Sequence, residues 1–138
     1  RLLQKTYTII RKRETRCVTY YTDDADMVII AHGIAARVAL ESVNHLRKLG
    51  QRVGLLRPQT LWPFPEHQIG EIAEQGKKLV TVELNAGQMV EDVRLAANGK
   101  TEVDFIGRPG GELLTPEGLT EELLILISKG TSTWSGKS

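Results

Sequence analysis

The side chains with chemistry to offer here are three histidines, one cysteine, a strand-ending glutamate and a helical serine. His32, His45 and His67 lack the short spacing that places two imidazoles on one metal ion. His32 ends an apolar run, where a hydrogen-bonded structural histidine is a simpler reading than a catalyst. His45 lies among charged neighbours and His67 near a helix start, so both read as surface. Cys17 has no histidine near it in sequence to draw off its proton, and it reads as a packing residue rather than a nucleophile. Glu83 closes an apolar strand. A carboxylate there serves either as a general base or as an acceptor for neighbouring amides, and the sequence leaves both open. Ser42 falls inside a helix with no nucleophile elbow around it.

The other candidates are cations and glycines in four loops. These are "HGIAAR" at 32–37, Arg57 to Pro65, "NAGQ" at 85–88 and "GRPGG" at 107–111. His32, Gly33, Arg37, Arg57, Gly87, Gln88 and Arg108 belong to them. Helix-start amides, small residues and guanidinium groups together can hold an anion. The competing reading has the arginines pairing with a partner surface or solvating the rim. It fits better, because no Gly-x-Gly-x-x-Gly and no phosphate-loop lysine accompanies them. The loop after Arg57 also carries Trp62, Phe64 and three prolines (58, 63 and 65). The prolines fix backbone angles and lower the entropy of the unfolded loop. A stiff aromatic loop suits a docking contact. Alternatively a ring turns inward as a lid on the core.

The elements that position these groups follow from periodicity. Continuous apolar runs predict strands at 17–22, 27–32, 52–57 and 79–84, and alternation predicts an edge strand at 102–106, with Val103 and Phe105 facing one way. A helix after residue 32 buries Ala35, Val38, Ala39, Val43, Leu46 and Leu49 and stops at Gly50. A second helix opens near Pro65 and a third carries Met89, Val93 and Ala96. The last opens at Thr115–Pro116–Glu117, a cap, a first-turn proline and a first-turn acid. Alternating strands and helices mean an α/β sandwich with a mainly parallel sheet.

Charge and composition set the outer limits. The chain has 138 residues, enough for one domain with a real core. Eighteen basic and 17 acidic residues give +1, which offers no field for nucleic acid or an acidic membrane. No apolar run spans a bilayer. A single cysteine rules out an internal disulfide and fits a cytoplasmic location. Residues 1–16 read as a basic linker from a preceding domain, 17–130 as the folded domain, and 131–138 as a disordered tail. The basic linker could instead bind a polyanion, but no aromatics interleave with its charges.

Three stretches, "GLLRPQTLWPFP", "VELNAGQMVEDVRLA" and "IGRPGG" followed by "TPE", resemble alpha-type subunits of 2-oxoacid:ferredoxin oxidoreductases, nearest to the 3-methyl-2-oxobutanoate (ketoisovalerate) type. The resemblance runs from about Thr22 to Ile127. It implies a domain similar to the transketolase C-terminal domain: a three-layer α/β/α sandwich on a mixed five-stranded sheet of order 1-3-2-4-5, with strand 1 antiparallel. It implies an enzyme that decarboxylates a 2-oxo acid oxidatively, reduces ferredoxin and forms an acyl-CoA. Thiamine diphosphate, magnesium, iron–sulfur clusters and CoA are implied for the whole enzyme and none for this domain. The implied partners are a preceding thiamine-diphosphate domain, beta- and gamma-type subunits and ferredoxin. The alternative is an autonomous module that binds CoA or a nucleotide diphosphate.

Overall fold

The computed structural model describes residues 17–59, 64–84, 88–108 and 113–137, with only the backbone described at 88 and 130–137. Its elements in chain order are β1 (Cys17–Tyr20), β2 (Met27–Ala31), α1 (Gly33–Lys48), β3 (Val53–Pro58), α2 (Glu66–Glu74), β4 (Lys78–Glu83), α3 (Gln88–Ala97), β5 (Val103–Gly107) and α4 (Pro116–Lys137). The sheet order is β1-β3-β2-β4-β5, with β1 antiparallel to β3 and every other pair parallel. This is the topology that the resemblance implies.

The central strand explains why the apolar runs are continuous. All five residues of β2 are buried, because helices cover both of its faces. Ile29, Leu55, Val80 and Val82 point to one side, where Ala39, Val43 and Leu46 of α1 and Leu119 and Leu123 of α4 meet them. Val28, Ile30, Leu56 and Leu79 point to the other, against Ile69 and Ile72 of α2 and Met89 and Val93 of α3. Each large side chain so buried contributes about 1.5–3 kcal/mol from hydrophobic transfer. Ser42 interrupts the apolar stripe of α1 yet is fully buried, and its hydroxyl donates to the Pro116 carbonyl at 2.9 Å. One hydrogen bond therefore joins α1 to the first residue of α4.

Two sequence expectations change. Phe105 is 40% exposed and Ile106 takes the buried place in β5, since the edge strand meets helices on one face more fully than on the other. Leu49 is 53% exposed, because α1 outruns the layer that covers its stripe. The α4 helix runs from Pro116 to Lys137.

Candidate functional site

The carboxyl ends of the parallel strands form the edge where such sheets bind ligands. Two strand-to-helix turns there are described closely enough to compare. At the first, β2 ends and His32 occupies the N-cap of α1 with φ −131° and ψ 149°. Its side chain caps nothing. The ring is exposed, and Nδ1–H donates instead to the Pro58 carbonyl at 2.9 Å. The histidine is thus hydrogen-bonded as expected, but it faces solvent, because the chain turns outward directly after Ala31. Gly33 follows with φ +62°, a left-handed conformation that side-chain-bearing residues adopt at a cost. The first turn of α1 has no acid, and Ile34 beside it is 67% exposed. Among the described residues, nothing in this chain closes the start of α1 with a side chain.

The second turn is closed. Glu83 ends β4 at 8% exposure, and its two oxygens accept the amides of Met89 at 2.8 Å and Val90 at 3.0 Å. The carboxylate meets both the unpaired amides and the positive end of the α3 dipole. It is a cap, with one backbone amide held by each oxygen. The sequence places this glutamate; its partners lie six and seven residues on, beyond any capping pattern.

The three edge arginines do not form one cluster. Arg37 is exposed on α1, and Arg57 is half-buried near the end of β3, the strand next to β2. The Nε of Arg57 is buried with no hydrogen-bond partner among the described residues. Arg108 stands just past β5, two strands from β2, and pairs with Glu122 of α4. It also donates to the Gly107 carbonyl at 2.9 Å. No sequence signal links Arg108 to an acid fourteen residues away across a loop. Of the aromatic loop, Phe64 is half-buried against the cluster around Leu56 and Ile69. Trp62 and Gly87 lie outside the described residues, and Gln88 is described only as the first backbone position of α3. Cys17 is partly buried, and burial pushes its thiol above the usual value, which keeps it protonated and unreactive at neutral pH.

The opposite, amino edge holds a lock that the sequence does not announce. Arg47, in the last turn of α1, donates to both oxygens of Asp24 at 2.8 and 3.0 Å, to the Tyr21 carbonyl at 2.8 Å and to the Val53 carbonyl at 2.9 Å. Its guanidinium also lies 5.1 Å from the centre of the Tyr21 ring. Lys77 donates to the carbonyls of Asp23 and Ala25, and Arg52 pairs with Asp26. Beneath this loop Gly54 is obligatory, since a β-carbon there would stand 2.7 Å from the Tyr21 carbonyl oxygen. Among the described residues no three histidine, cysteine or acidic side chains converge as metal ligands. No helix of the described residues is long and apolar enough to cross a membrane.

Comparison with known proteins places this arrangement. The family model for pyruvate:ferredoxin oxidoreductase core domain II matches residues 25–119. The ketoisovalerate oxidoreductase subunit VorB of Methanothermobacter thermautotrophicus is 42% identical over 121 residues, covering 88% of this chain and 34% of that one. The 2-oxoglutarate synthase subunit KorA of Methanothermobacter marburgensis is 38% identical over 104 residues, covering 75% of this chain and 28% of that one. This chain therefore spans about a third of the length of the curated relatives it matches. Among solved structures, the 2-oxoglutarate:ferredoxin oxidoreductase from Magnetococcus marinus, with 2-oxoglutarate, coenzyme A and succinyl-CoA bound, aligns with a TM-score of 0.70 at 24% identity, covering 84% of this chain and 20% of that chain. A split-gene transketolase, an inactive beta4 tetramer, aligns at 0.63 and 21% identity, covering 77% of this chain and 39% of that chain. Those two likenesses show the fold. With a fold of the expected strand order and a family match over most of its length, the chain belongs to the pyruvate:ferredoxin oxidoreductase core domain II family.

Proposed function

We propose that this chain is a structural and interface domain of a thiamine-diphosphate-dependent 2-oxoacid:ferredoxin oxidoreductase, whose substrate is a branched-chain 2-oxo acid and whose products are an acyl-CoA and reduced ferredoxin. The non-catalytic part of this reading is carried by Glu83. It is the buried carboxylate of the described residues, and it spends both oxygens on amides of its own chain. Among those residues no three histidine, cysteine or acidic side chains converge as metal ligands, which supports seating the thiamine diphosphate, its magnesium and the iron–sulfur clusters elsewhere. In this proposal those groups belong to the remaining two-thirds of the subunit and to its partner subunits, in the cytoplasm. The branched-chain substrate is supported by the likeness to a ketoisovalerate oxidoreductase subunit, at 42% identity against 38% for the 2-oxoglutarate synthase subunit. The open start of α1, with exposed Ile34 and Arg37, supports a surface that another part of the enzyme covers.

The test is the full-length subunit assembled with its partners and assayed for ferredoxin reduction with 3-methyl-2-oxobutanoate, 2-oxoglutarate and pyruvate. The expected result is the highest kcat/KM for the branched-chain acid and none of the activity in the 138-residue chain alone. Preference for 2-oxoglutarate would overturn the substrate, and turnover by the chain alone would overturn its non-catalytic role. A thermal-shift series with CoA, thiamine diphosphate and NAD addresses the module reading. A ligand present at about a hundred times its dissociation constant adds about 2.7 kcal/mol to a protein that binds it, so the absence of any shift is the expected outcome.

A further inference from the structure

The outer seam between α1 and α4 opens into a groove of about 430 Å³, away from the carboxyl edge. Its floor is apolar, with Leu49 more than half exposed and Leu124 half-buried. Glu41 and His45 rim it from α1, and Glu117 and Glu121 rim it from α4. Several other surface acids are matched within the chain. Asp24, Asp26, Glu74, Glu91, Asp104 and Glu122 each pair with a lysine or arginine. The three rim glutamates have no such partner among the described residues, although Arg47 lies two positions beyond His45 on α1 and is turned to the amino edge.

We propose that this groove receives an amphipathic helix of another polypeptide, with leucine-like side chains on the floor and lysine or arginine on both flanks. The proposal rests on the reading that the chain works inside a multi-chain enzyme. Three unmatched carboxylates around an apolar floor define the complement: an apolar stripe bordered by cations. Nucleic acid and anionic lipid carry the wrong sign. A second copy docked face to face about a two-fold axis would set the rim glutamates against like charges. The chain's own basic segment at 1–16 is the competing occupant, and its removal is one arm of the test.

The test uses the 138-residue chain and a synthetic peptide of about 18 residues, roughly five helical turns, with leucine at helical spacing and lysine on the flanks. A second peptide carries glutamate for lysine. The lysine peptide is expected to shift the amide resonances of Glu41, His45, Thr120 and Glu121 saturably, and to bind more weakly as salt rises. The acidic peptide is expected to leave them in place. The double variant Glu41→Lys/Glu121→Lys is expected to weaken binding about tenfold, the loss of two exposed charge pairs. Reversal of Asp92 and Glu102, acids outside the groove, is expected to change it by less than about twofold. If the reversed variant loses its fold by circular dichroism, Glu41→Gln/Glu121→Gln replaces it, and weaker binding is again required. Equal binding of both peptides, equal effects of groove and control reversals, or binding that emerges only after residues 1–16 are removed would each overturn the proposal. So would a concentration-dependent dimer broken by Glu121→Lys. None of these outcomes touches the oxidoreductase reading, which stands or falls on turnover by the assembled enzyme.

Discussion

The starts of α1 and α3 occupy equivalent places, each just past a parallel strand at the carboxyl edge, and the chain treats them oppositely. It closes α3 with its own carboxylate, Glu83, at 2.8 and 3.0 Å from two amides. It opens α1 on a glycine at φ +62°, an N-cap histidine that caps nothing and no first-turn acid. An unmet helix start exposed to water costs little, whereas a buried one must be met. Met89 and Val90 are buried; Gly33 and Ile34 are exposed. The difference teaches where the domain closes its own backbone and where it leaves backbone and apolar surface to the solvent side.

The largest effect tests the closed start. Glu83→Ala leaves two buried amides without acceptors and removes a charge from the helix dipole, at a cost on the order of 3 kcal/mol. Glu83→Gln keeps one carbonyl acceptor and sets an amide NH₂ against the other N–H, at about 2 kcal/mol. Urea denaturation measures both. A loss below about 1 kcal/mol for the alanine variant would mean that water reaches these amides, and the two starts would no longer differ.

How much of this the sequence discloses depends on range. The strands are legible because β2 and its neighbours are covered on both faces, which forces unbroken apolar runs. The start of α4 is legible because its cap is local: Thr115 Oγ1 accepts the Gly118 amide at 3.1 Å, three residues on. The position of Glu83 is legible, but its task is not, since a loop intervenes before the amides it meets. Arg108 reads as a free edge cation because its partner Glu122 is set by how α4 packs. Leu49 reads as buried because the period of a helix carries no information about where the covering layer ends. The Arg47–Asp24 lock escapes for the same reason as Arg108: twenty-three residues separate its two halves.

The second test concerns the open start. Space around Gly33 is free, as no atom lies within 4 Å of where a β-carbon would stand, so the only penalty for a side chain is its left-handed backbone. Gly33→Ala is expected to cost about 1 kcal/mol. Gly33→Asn should cost less, because asparagine tolerates that region. Equal losses for both would mean that the first residue of α1 relaxes to another conformation.

A smaller effect of opposite sign sharpens the contrast. Ile34→Glu supplies the first-turn acid that α1 lacks and removes an exposed apolar side chain with little packing to lose. The chain should gain about 0.5 kcal/mol at low salt. If the proposed interface holds, the same change should weaken subunit association in the assembled enzyme, because a carboxylate would then replace an apolar contact. Stabilisation without any loss of assembly would show that the open start is bare surface and not an interface.

The smallest effect lies at the other end of α1, where Arg47 fixes the last turn to Asp24. If openness belongs to the start of this helix and not to the helix as a whole, its end must be held by charge. The hydrogen bond from Arg47, foremost, holds the Asp24 carboxyl below the ordinary aspartate value of 3.8. A folded value below the unfolded one means that the pair stabilises the fold above the unfolded value. That contribution fades as pH falls through the folded value and the carboxylate takes up a proton. The Asp24 side chain is 63% exposed, so the contribution is small and is screened by salt. Asp24→Asn should therefore lower the melting point slightly at pH 7 and lose less than the wild type on moving from pH 5 to pH 3. Some acid slope should remain in the variant, because the Lys100 ammonium at 2.9 Å lowers the Glu74 carboxyl in the same direction. Identical acid limbs for variant and wild type would mean that Asp24 carries no net stabilising charge. Arg47 would then hold α1 through the Tyr21 and Val53 carbonyls alone.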